Sequence, residues 1–346
     1  MFRVLLAFGV VVFSLSSCAQ TKQAALESIF SDISKDDSFS GAALVYHKKQ
    51  VLLDSSYGYK DYDKKARHTN RSIFLIASNT KQFTAEIILK LMHEKKLKLT
   101  DKLNNYLPGY PNGEQISIYN LLTHTSGIYN YTDSPCINML DPTKPVDILE
   151  LIDLFSAQPL LFEPDTKYSY SNSNYALLGY IIEQITGKEY EQVVRSEIFI
   201  PLQMSRSGFD YKNLQDTDRS ISYYNVDGSV YPYDIFDSTF SYAAGGIYST
   251  TGDMFRWYKG LTTYQLLPAK VQQKAYEPYM HGYALGWSVS TFKGKRFMFH
   301  FGSICGFKCI ELFNDETYVI ILSNYMDNAI DKGEILNQVL EVLYSK

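Results

Sequence analysis

Strand-forming sequence lies at both ends of this 346-residue chain, and helical or loop-rich sequence lies between them. Six segments are rich in β-branched and aromatic residues and are bounded by turn residues. They are residues 41–47, 50–57, 283–291, 296–301, 307–313 and 317–323. Apolar residues recur at helical spacing over residues 21–34 and over roughly the last 18 residues. The pattern predicts an α+β fold, in which one antiparallel sheet is built from both ends of the chain and terminal helices pack on it.

The middle of the chain predicts a mainly helical insertion over residues 95–215, so that residues 25–94 and 216–346 build the sheet and its terminal helices. Within the insertion, residues 174–186 have helical periodicity and end at Gly187, a residue that favours helix termination. A cleft between the sheet and the insertion is the expected place for a ligand site, since ligand pockets concentrate between such units.

The first residues have the pattern of a signal peptide. Val4–Leu15 is an apolar run of 12 residues, which is too short to span a bilayer and typical of a secretory signal. Small residues then precede Cys18, as in a bacterial lipobox, so we expect residues 1–17 to be removed and Cys18 to carry a lipid anchor. Residues 18–24 would form a tether, and the protein would lie in the cell envelope, anchored in a bacterial membrane and facing the periplasm or exterior. Signal cleavage near Ala19 without lipidation is the alternative.

Three further cysteines follow, at Cys136, Cys305 and Cys309. Cys305 and Cys309 flank a short turn, so a disulfide across a hairpin is one interpretation for an exported protein. Three free, partly buried thiols are an equally open alternative.

Ser78–Lys81 is the first of three short motifs that carry chemistry. A serine hydroxyl needs a base within hydrogen-bond distance to act as a nucleophile, and residues three apart on a helix share a face. The positive end of a helix dipole at Ser78 would also suit a developing oxyanion. Lys81 lies on an apolar stripe of the predicted helix, where burial would lower its pKa toward neutrality. The alternative is a helix-capping Ser78 with a Lys81 side chain that reaches water.

The Ser-x-x-Lys pattern occurs a second time, at Ser290–Lys293. That segment alternates like a strand, and residues three apart on a strand point to opposite faces of the sheet. The local context therefore favours Ser78 as the nucleophile.

Two more motifs follow, and each is weak when taken alone. Tyr170–Asn172 precedes a predicted helix, and a phenol can relay a proton while an amide can bind a substrate carbonyl. A turn tyrosine followed by a helix-capping asparagine is the alternative, because the chain has 29 tyrosines. His300–Ser303 ends a predicted strand, and its glycine lets a ligand approach the backbone closely.

Taken in order, the three motifs resemble the active-site triplet of serine β-lactamases and penicillin-binding proteins. The likeness is closest to the branch that contains class C β-lactamases, D-Ala-D-Ala carboxypeptidases, D-aminopeptidases and related esterases. Surrounding segments are similar to that branch as well, over Ala77–Ala85, Leu121–Gly127, Tyr170–Ile182 and Ala244–Thr250. The resemblance extends over roughly residues 25–345 and implies a β-lactamase/transpeptidase-like fold.

The resemblance implies a serine acyl hydrolase that acts on D-amino-acid peptides, esters or amides. Ser78 would be the nucleophile that forms an acyl-enzyme. Lys81 and Tyr170 would share the general acid–base work, whereas His124 would brace a loop without taking part in the chemistry.

By the same resemblance, substrate would bind to Asn172 and along the strand that carries His300, Gly302 and Ser303. The backbone N–H groups of Ser78 and Ser303 would form the oxyanion hole.

The third motif departs from the family pattern, which usually begins Lys-Thr-Gly. His300 and Phe301 replace the lysine and the threonine, so a permanent cation and a hydroxyl that grip a substrate carboxylate are missing. An unperturbed histidine has a pKa of about 6.5 and is mostly neutral at neutral pH. The sequence therefore predicts a preference for neutral esters or amides, with carboxylated substrates improving as pH falls. If that pH dependence is absent, another cation such as Lys308 would set substrate charge.

Charge and motif content weigh against other classes of function. The net charge is −4, from 33 basic and 37 acidic residues, so no nucleic acid partner is expected. The six histidines form no His-Glu-x-x-His motif, so no metal or other cofactor is expected. The expected partners are a small-molecule or peptide substrate and, through the lipid anchor, a membrane. The alternative function is a non-catalytic envelope lipoprotein that binds peptidoglycan-like or β-lactam ligands, although a binder has no need of the Ser-Lys-Tyr set.

Overall fold

The computed structural model describes residues 19–35, 38–326 and 331–345 of the chain. The helices are α1 (19–33), α2 (Thr80–His93), α3 (Ile118–Leu122), α4 (Ile148–Ser156), α5 (Asn172–Thr186), α6 (Tyr190–Val194), α7 (Ser238–Gly245), α8 (Thr251–Thr262), α9 (Ala269–Gln272) and α10 (Lys332–Tyr344). The strands are β1 (Phe39–His47), β2 (Gln50–Tyr57), β3 (Tyr59–Asp61), β4 (Ala66–Arg67), β5 (Phe74–Leu75), β6 (Tyr223–Val226), β7 (Ser229–Pro232), β8 (Tyr248–Ser249), β9 (Ser288–Phe292), β10 (Lys295–Ile304), β11 (Phe307–Phe313) and β12 (Thr317–Met326). The predicted signal peptide of residues 1–17 and the predicted anchor residue Cys18 lie outside the described residues.

Six strands form one antiparallel sheet in the order β2-β1-β12-β11-β10-β9. The first strand pairs with the last, in a register that places Ala43 opposite Ile321. This pairing confirms the predicted sheet built from both ends of the chain. Strand β9 is shorter than predicted, because it begins at Ser288 rather than at Tyr283. Gly286 has a positive φ of 78° and turns the chain just before the strand begins.

Each face of the sheet is covered by its own apolar core. On one face, Leu26 of α1 and Val339 of α10 join strand residues such as Val45. On the other face, α2, α5 and α8 supply residues such as Ile88 and Trp257. Because strand side chains alternate between two buried faces, β1 and β12 are buried along almost their whole length.

The start of the described chain is helical. Residues 19–24, expected as part of a tether, belong to α1. Lys22 Nζ donates a hydrogen bond of 2.6 Å to the carbonyl oxygen of Leu343, so the first turn of α1 is tied to α10. Over the ranges that the structure describes, no helix combines the length and the apolar character needed to cross a bilayer.

Residues 95–215 contain α3, α4, α5 and α6 and contribute no strand to the six-stranded sheet. Helix α5 ends as predicted, with Gly187 at a φ of 66° after its last residue.

The hairpin of β6 and β7 was not predicted. Its turn uses Asp227 and Gly228 at positive φ, which is the turn type that Asp-Gly favours.

Candidate active site

Ser78 lies in a short 3-10 turn, Ala77–Asn79, which leads directly into helix α2. The preceding residue, Ala77, has a positive φ of 50°, a strained conformation that is frequent at functional sites. Asn79 fixes the turn, because its Nδ2 donates a 2.9 Å hydrogen bond to the buried Glu311 carboxylate. Ser78 is therefore held at a helix start in a constrained backbone.

Lys81 is fully buried on α2, one turn after Ser78. Its Nζ lies 3.3 Å from Ser78 Oγ, 2.7 Å from Asn172 Oδ1 and 2.8 Å from the carbonyl oxygen of Ala244. Burial holds the pKa of Lys81 well below its usual range. The alternative in which this side chain reaches water is wrong, because the apolar stripe of α2 is covered on all sides.

The three contacts of Lys81 are all to oxygen atoms. The amide oxygen of Asn172 and the carbonyl oxygen of Ala244 can only accept, so Nζ donates to both. Nζ also donates to Ser78 Oγ, and its lone pair becomes available to the Ser78 hydroxyl once Nζ has lost one proton. A neutral Lys81 in this position can accept the proton that Ser78 loses when it attacks a carbonyl.

Tyr170 is the second side chain that hydrogen-bonds to Ser78. Burial raises the pKa of Tyr170, so the phenol keeps its proton at neutral pH. Lys81 Nζ lies 4.8 Å from the centre of the Tyr170 ring, so the three groups form one cluster. In this cluster Lys81 suits the role of base, and Tyr170 suits the role of a proton donor or relay.

His124 packs against Tyr170 and holds the segment that carries it. The ring centres of His124 and Tyr170 are 4.4 Å apart, and His124 Nδ1 accepts a 3.2 Å hydrogen bond from the Ser171 N–H. The backbone carbonyl of His124 accepts a further bond from the Ser169 N–H. Burial lowers the pKa of His124 well below its usual range, so the ring is neutral. These contacts make His124 a positioning residue for Tyr170.

Asn172 is the first residue of α5 and lies beside Lys81. Its backbone N–H donates to Asn130 Oδ1 at 2.9 Å, and its Nδ2 donates to Thr132 Oγ1 at 3.0 Å. The Asn172 amide thus orients the base through Oδ1. Nδ2 has a second N–H group, which a substrate carbonyl can accept from while Thr132 stays bound.

The third motif lies on the half of β10 that has no β9 partner. Strand β9 pairs with residues 295–299, so residues 300–304 present a free strand edge. A Cβ added to Gly302 would lie 2.3 Å from the carbonyl oxygen of Ile76, just before the turn that carries Ser78. Glycine is required here because β10 packs closely against the nucleophile turn.

His300 does not titrate as the sequence predicts. It is buried, with Nδ1 2.9 Å from the carbonyl oxygen of Phe301 and Nε2 3.2 Å from Tyr283 Oη. A carbonyl only accepts, so Nδ1 carries the proton and Nε2 accepts from Tyr283. Burial, together with nearby Lys81, lowers the pKa of His300 to about 3. The expectation that His300 gains a proton near pH 6.5 is wrong, because desolvation penalises the charged ring.

One pocket of about 190 Å³ connects the three motifs. Ser78, Asn172 and Ser303 line its polar side, and Lys81 contacts two of these residues from behind. The opposite wall is apolar and largely aromatic. It consists of Tyr131, Ile137, Phe236, Phe240 and Ile304. Sequence reasoning missed this wall, since its members come from separate loops, from α7 and from the end of β10 and share no motif.

Residues 26–342 match the beta-lactamase family. The chain belongs to this family of serine hydrolases. PbpX of Bacillus subtilis (strain 168), provisionally named a penicillin-binding protein, is 31% identical over 314 residues, which are 89% of this chain and 76% of PbpX. Protein flp of Staphylococcus aureus (strain MW2) is 30% identical over 325 residues, which are 87% of this chain and 62% of flp. This chain therefore covers less than two thirds of the length of flp.

Solved structures show the same β-lactamase/transpeptidase-like fold. An octameric penicillin-binding protein homologue from Pyrococcus abyssi matches with a TM-score of 0.82 at 24% identity, over 93% of this chain and 77% of that one. The D-amino acid amidase of Ochrobactrum anthropi SV3 matches with a TM-score of 0.81 at 22% identity, over 93% and 98% of the two chains. The fold class predicted from the sequence is confirmed.

The other candidate groups do not form sites. Ser290 lies on β9 with Lys293 in the turn that follows, and neither lines the pocket that contains Ser78. The disulfide between Cys305 and Cys309 is not formed, and both thiols are free. Across the described ranges, no group of His, Cys, Asp or Glu side chains is arranged to hold a metal ion.

Proposed function

We propose that this beta-lactamase family member is a serine acyl hydrolase in which Ser78 forms an acyl-enzyme. The observation that carries the proposal is the position of the fully buried Lys81, whose Nζ lies 3.3 Å from Ser78 Oγ while Asn172 and Ala244 accept its other N–H groups. A protein that only binds ligands has no need of a buried lysine with a lowered pKa beside a serine that follows a strained residue.

The proposed reaction has two halves. Lys81 takes the proton of the Ser78 hydroxyl as Oγ attacks the substrate carbonyl, and the backbone N–H groups of Ser78 and Ser303 receive the oxyanion. Tyr170 passes a proton to the leaving group as the bond to it breaks. Water then attacks the ester carbonyl and gives a proton to the Tyr170 phenolate, and Lys81 returns its proton to Oγ as the acid leaves.

The substrates we propose are esters, amides and peptides of D-amino acids with an apolar side chain. Support comes from the aromatic wall of the pocket, which offers about 190 Å³ beside Ser78. The D-amino acid amidase that shares this fold has been solved with D-phenylalanine and with L-phenylalanine amide, which are small aromatic compounds.

Intact mass after exposure to D-phenylalanine amide, simple esters, D-Ala-D-Ala peptides and β-lactams tests the chemistry. Wild type should gain one acyl group, and Ser78→Ala should gain none and lose turnover. Lys81→Ala should lose about 10²–10⁴-fold in rate, as expected for a positioned base. Ser290→Ala is the matched control and should behave like wild type. Labelling that persists in Ser78→Ala, or turnover that survives it, contradicts the proposal. Binding of these compounds without any acylation in wild type favours the non-catalytic lipoprotein.

We also propose that Cys18 carries a lipid anchor that holds the protein at a bacterial membrane, with the catalytic domain in the cell envelope. The support is the apolar run of Val4–Leu15 followed by small residues and Cys18. Detergent partitioning of wild type and Cys18→Ala, expressed with the complete leader, tests it. Wild type should enter the detergent phase and the variant should not. Aqueous partitioning of both proteins contradicts the anchor.

A further inference from the structure

A buried carboxylate on β11 holds the turn that carries the nucleophile. Glu311 is fully buried, and its Oε2 accepts hydrogen bonds of 2.9 Å from Asn79 Nδ2 and of 2.7 Å from Gln82 Nε2. Asn79 directly follows Ser78 in the chain, and Gln82 directly follows Lys81. One oxygen atom therefore binds the chain next to both members of the candidate catalytic pair.

Two aromatic side chains extend this hydrogen-bond network to the rest of the fold. Tyr318 on β12 donates a 3.0 Å hydrogen bond to Glu311 Oε1, and Trp257 Nε1 on α8 donates a 2.8 Å hydrogen bond to Gln82 Oε1. All four hydrogen bonds of the network are buried, where the low dielectric strengthens them. The start of α2 is thus joined to β11, β12 and α8.

The backbone around Ser78 needs such support from outside. Ala77 has a positive φ of 50°, and a strained residue keeps its conformation only when the surrounding structure enforces it. Asn79 is the N-cap residue of α2, but its side chain makes no capping hydrogen bond to the helix. That side chain donates to Glu311 instead, so the nucleophile turn is fastened to the sheet rather than to its own helix.

We infer that Glu311 is a positioning residue for acyl transfer, which acts through Asn79 and Gln82 to hold Ser78 and Lys81 at the spacing that proton transfer requires. The inference rests on the proposed function of Ser78. Lys81 Nζ and Ser78 Oγ are 3.3 Å apart, and a misplacement of about 1 Å in such a pair can cost about 10²-fold in rate.

Glu86 provides a matched control on the same helix. It is buried on α2, and its Oε2 accepts a 3.0 Å hydrogen bond from Gln272 Nε2 of α9. Burial raises the pKa of Glu86 to about 7, as it does for Glu311. The two glutamates share burial and a buried amide partner, but the partner of Glu86 does not belong to the turn of Ser78.

The rate of acylation by a simple ester, followed by intact mass over time, tests the inference. Glu311→Met removes the acceptor of Asn79 and Gln82, and it should lower the saturating rate about ten- to a hundredfold while the half-saturating ester concentration changes less than about threefold. Glu311→Gln keeps an oxygen for both donors and should acylate within about threefold of wild type. Glu86→Met should also acylate within about threefold of wild type, even where it lowers thermal stability as much as Glu311→Met does. Equal rates in Glu311→Met and wild type, or an equal loss in Glu86→Met, overturn the inference.

Asn79→Ala provides a second test that does not require Glu311→Met to fold. It removes one of the donors and leaves Glu311 bound by Gln82 and Tyr318. This variant should lose acylation rate as Glu311→Met does. Because the two residues act as a unit, adding Glu311→Met to Asn79→Ala should lower the rate by less than about threefold more. Wild-type acylation in Asn79→Ala contradicts the inference.

Hydrogen exchange separates this inference from the proposed function, because it needs no turnover. Backbone N–H groups of residues 77–83 should exchange about tenfold faster in Glu311→Met than in wild type, after correction for β1, whose exchange reports unfolding of the whole fold. Glu311→Gln and Glu86→Met should exchange like wild type over residues 77–83. Unchanged exchange in Glu311→Met overturns the inference even if the hydrolase is confirmed. Faster exchange together with no acylation of wild type supports the hold of Glu311 on the turn and contradicts the hydrolase.

Discussion

Replacement of Glu311 by Gln should stabilise the protein at pH 8 and have little effect near pH 4.5. Glu311 is fully buried on β11 and accepts hydrogen bonds from Asn79 and Gln82 at Oε2 and from Tyr318 at Oε1. Burial raises the pKa of Glu311 from 4.5 to about 7. The folded state therefore binds this proton more tightly than the unfolded state. The resulting stabilisation is complete below pH 4.5 and is lost as pH rises through about 7.

The magnitude follows from the two pKa values of Glu311. The difference between 4.5 and about 7 corresponds to about 3 kcal/mol of unfolding free energy, since each pH unit is worth about 1.4 kcal/mol. A glutamine has the same shape. Its oxygen can accept from Asn79 and Gln82, while its NH2 group donates to Tyr318 Oη. The substitution thus removes a buried charge. The Tyr318 hydroxyl hydrogen loses its acceptor in the variant, as it also does in wild type when Glu311 Oε1 carries a proton.

Urea unfolding of wild type and Glu311→Gln between pH 4.5 and 8.5 measures the effect. The difference in unfolding free energy should grow by about 3 kcal/mol in favour of the variant as pH rises. The buried histidines His47 and His68 have lowered pKa values of about 4, so their contribution to unfolding free energy changes with pH in the opposite direction. Because wild type and variant share these histidines, their contribution cancels when the two proteins are compared at the same pH. The control is Glu114→Gln, at an exposed position, where the difference in unfolding free energy from wild type should not change with pH. If the difference for Glu311→Gln also does not change with pH, the reasoning is refuted.

Two further substitutions test the geometry around Ser78. Gly302→Ala should lower kcat more than tenfold and destabilise the fold by about 1–3 kcal/mol, because its Cβ would lie 2.3 Å from the carbonyl oxygen of Ile76. Gly252→Ala on α8, where the nearest atom is 3.8 Å away, is its control and should be tolerated in activity and thermal unfolding. Tyr170→Phe should slow turnover about 10²-fold or more while thermal stability is nearly unchanged, and wild-type kinetics would exclude Tyr170 from proton transfer.

The sheet was predictable because its signals are local. The strand β11 was predicted with the same bounds that it has in the structure. Its strand-forming residues lie between turn residues on both sides, and these turn residues mark where it begins and ends. Helix α8 was missed, although the Thr250 side chain accepts a hydrogen bond from the Asp253 N–H and so supplies a capping signal. Helix α7 was missed as well, and it is capped in the same way by Asp237.

The candidate catalytic cluster was predictable only in part. Ser78 and Lys81 are close because they are one helical turn apart, so sequence spacing was enough to pair them. The aromatic wall was not predictable, because Tyr131 and Phe240 come together only when loops and α7 pack around the pocket. The pKa of His300 depends on burial by the whole fold, which no local pattern encodes.

The burial of His300 leads to a prediction about pH that is opposite to the one from sequence alone. With a pKa of about 3, His300 stays neutral from pH 5.5 to 7.5 and cannot change substrate preference in that range. Burial and the neighbouring Lys332 lower the pKa of Lys308 from the 10.5 of an ordinary lysine, and any loss of its charge comes as pH rises. For two esters that differ only in a carboxylate, the ratio of kcat/KM for the carboxylated ester to that for the neutral ester should therefore be constant from pH 5.5 to 7.5.

The measurement is the pH profile of this ratio for wild type, Lys308→Met and His300→Gln. Both variants should leave the shape of the profile unchanged, because His300 is neutral throughout the range and Lys308 does not line the pocket that contains Ser78. A tenfold decline centred near pH 6.5 that disappears in His300→Gln would show that His300 is protonated in the folded enzyme. In that case the anion would bind at the third motif, as the sequence alone predicts.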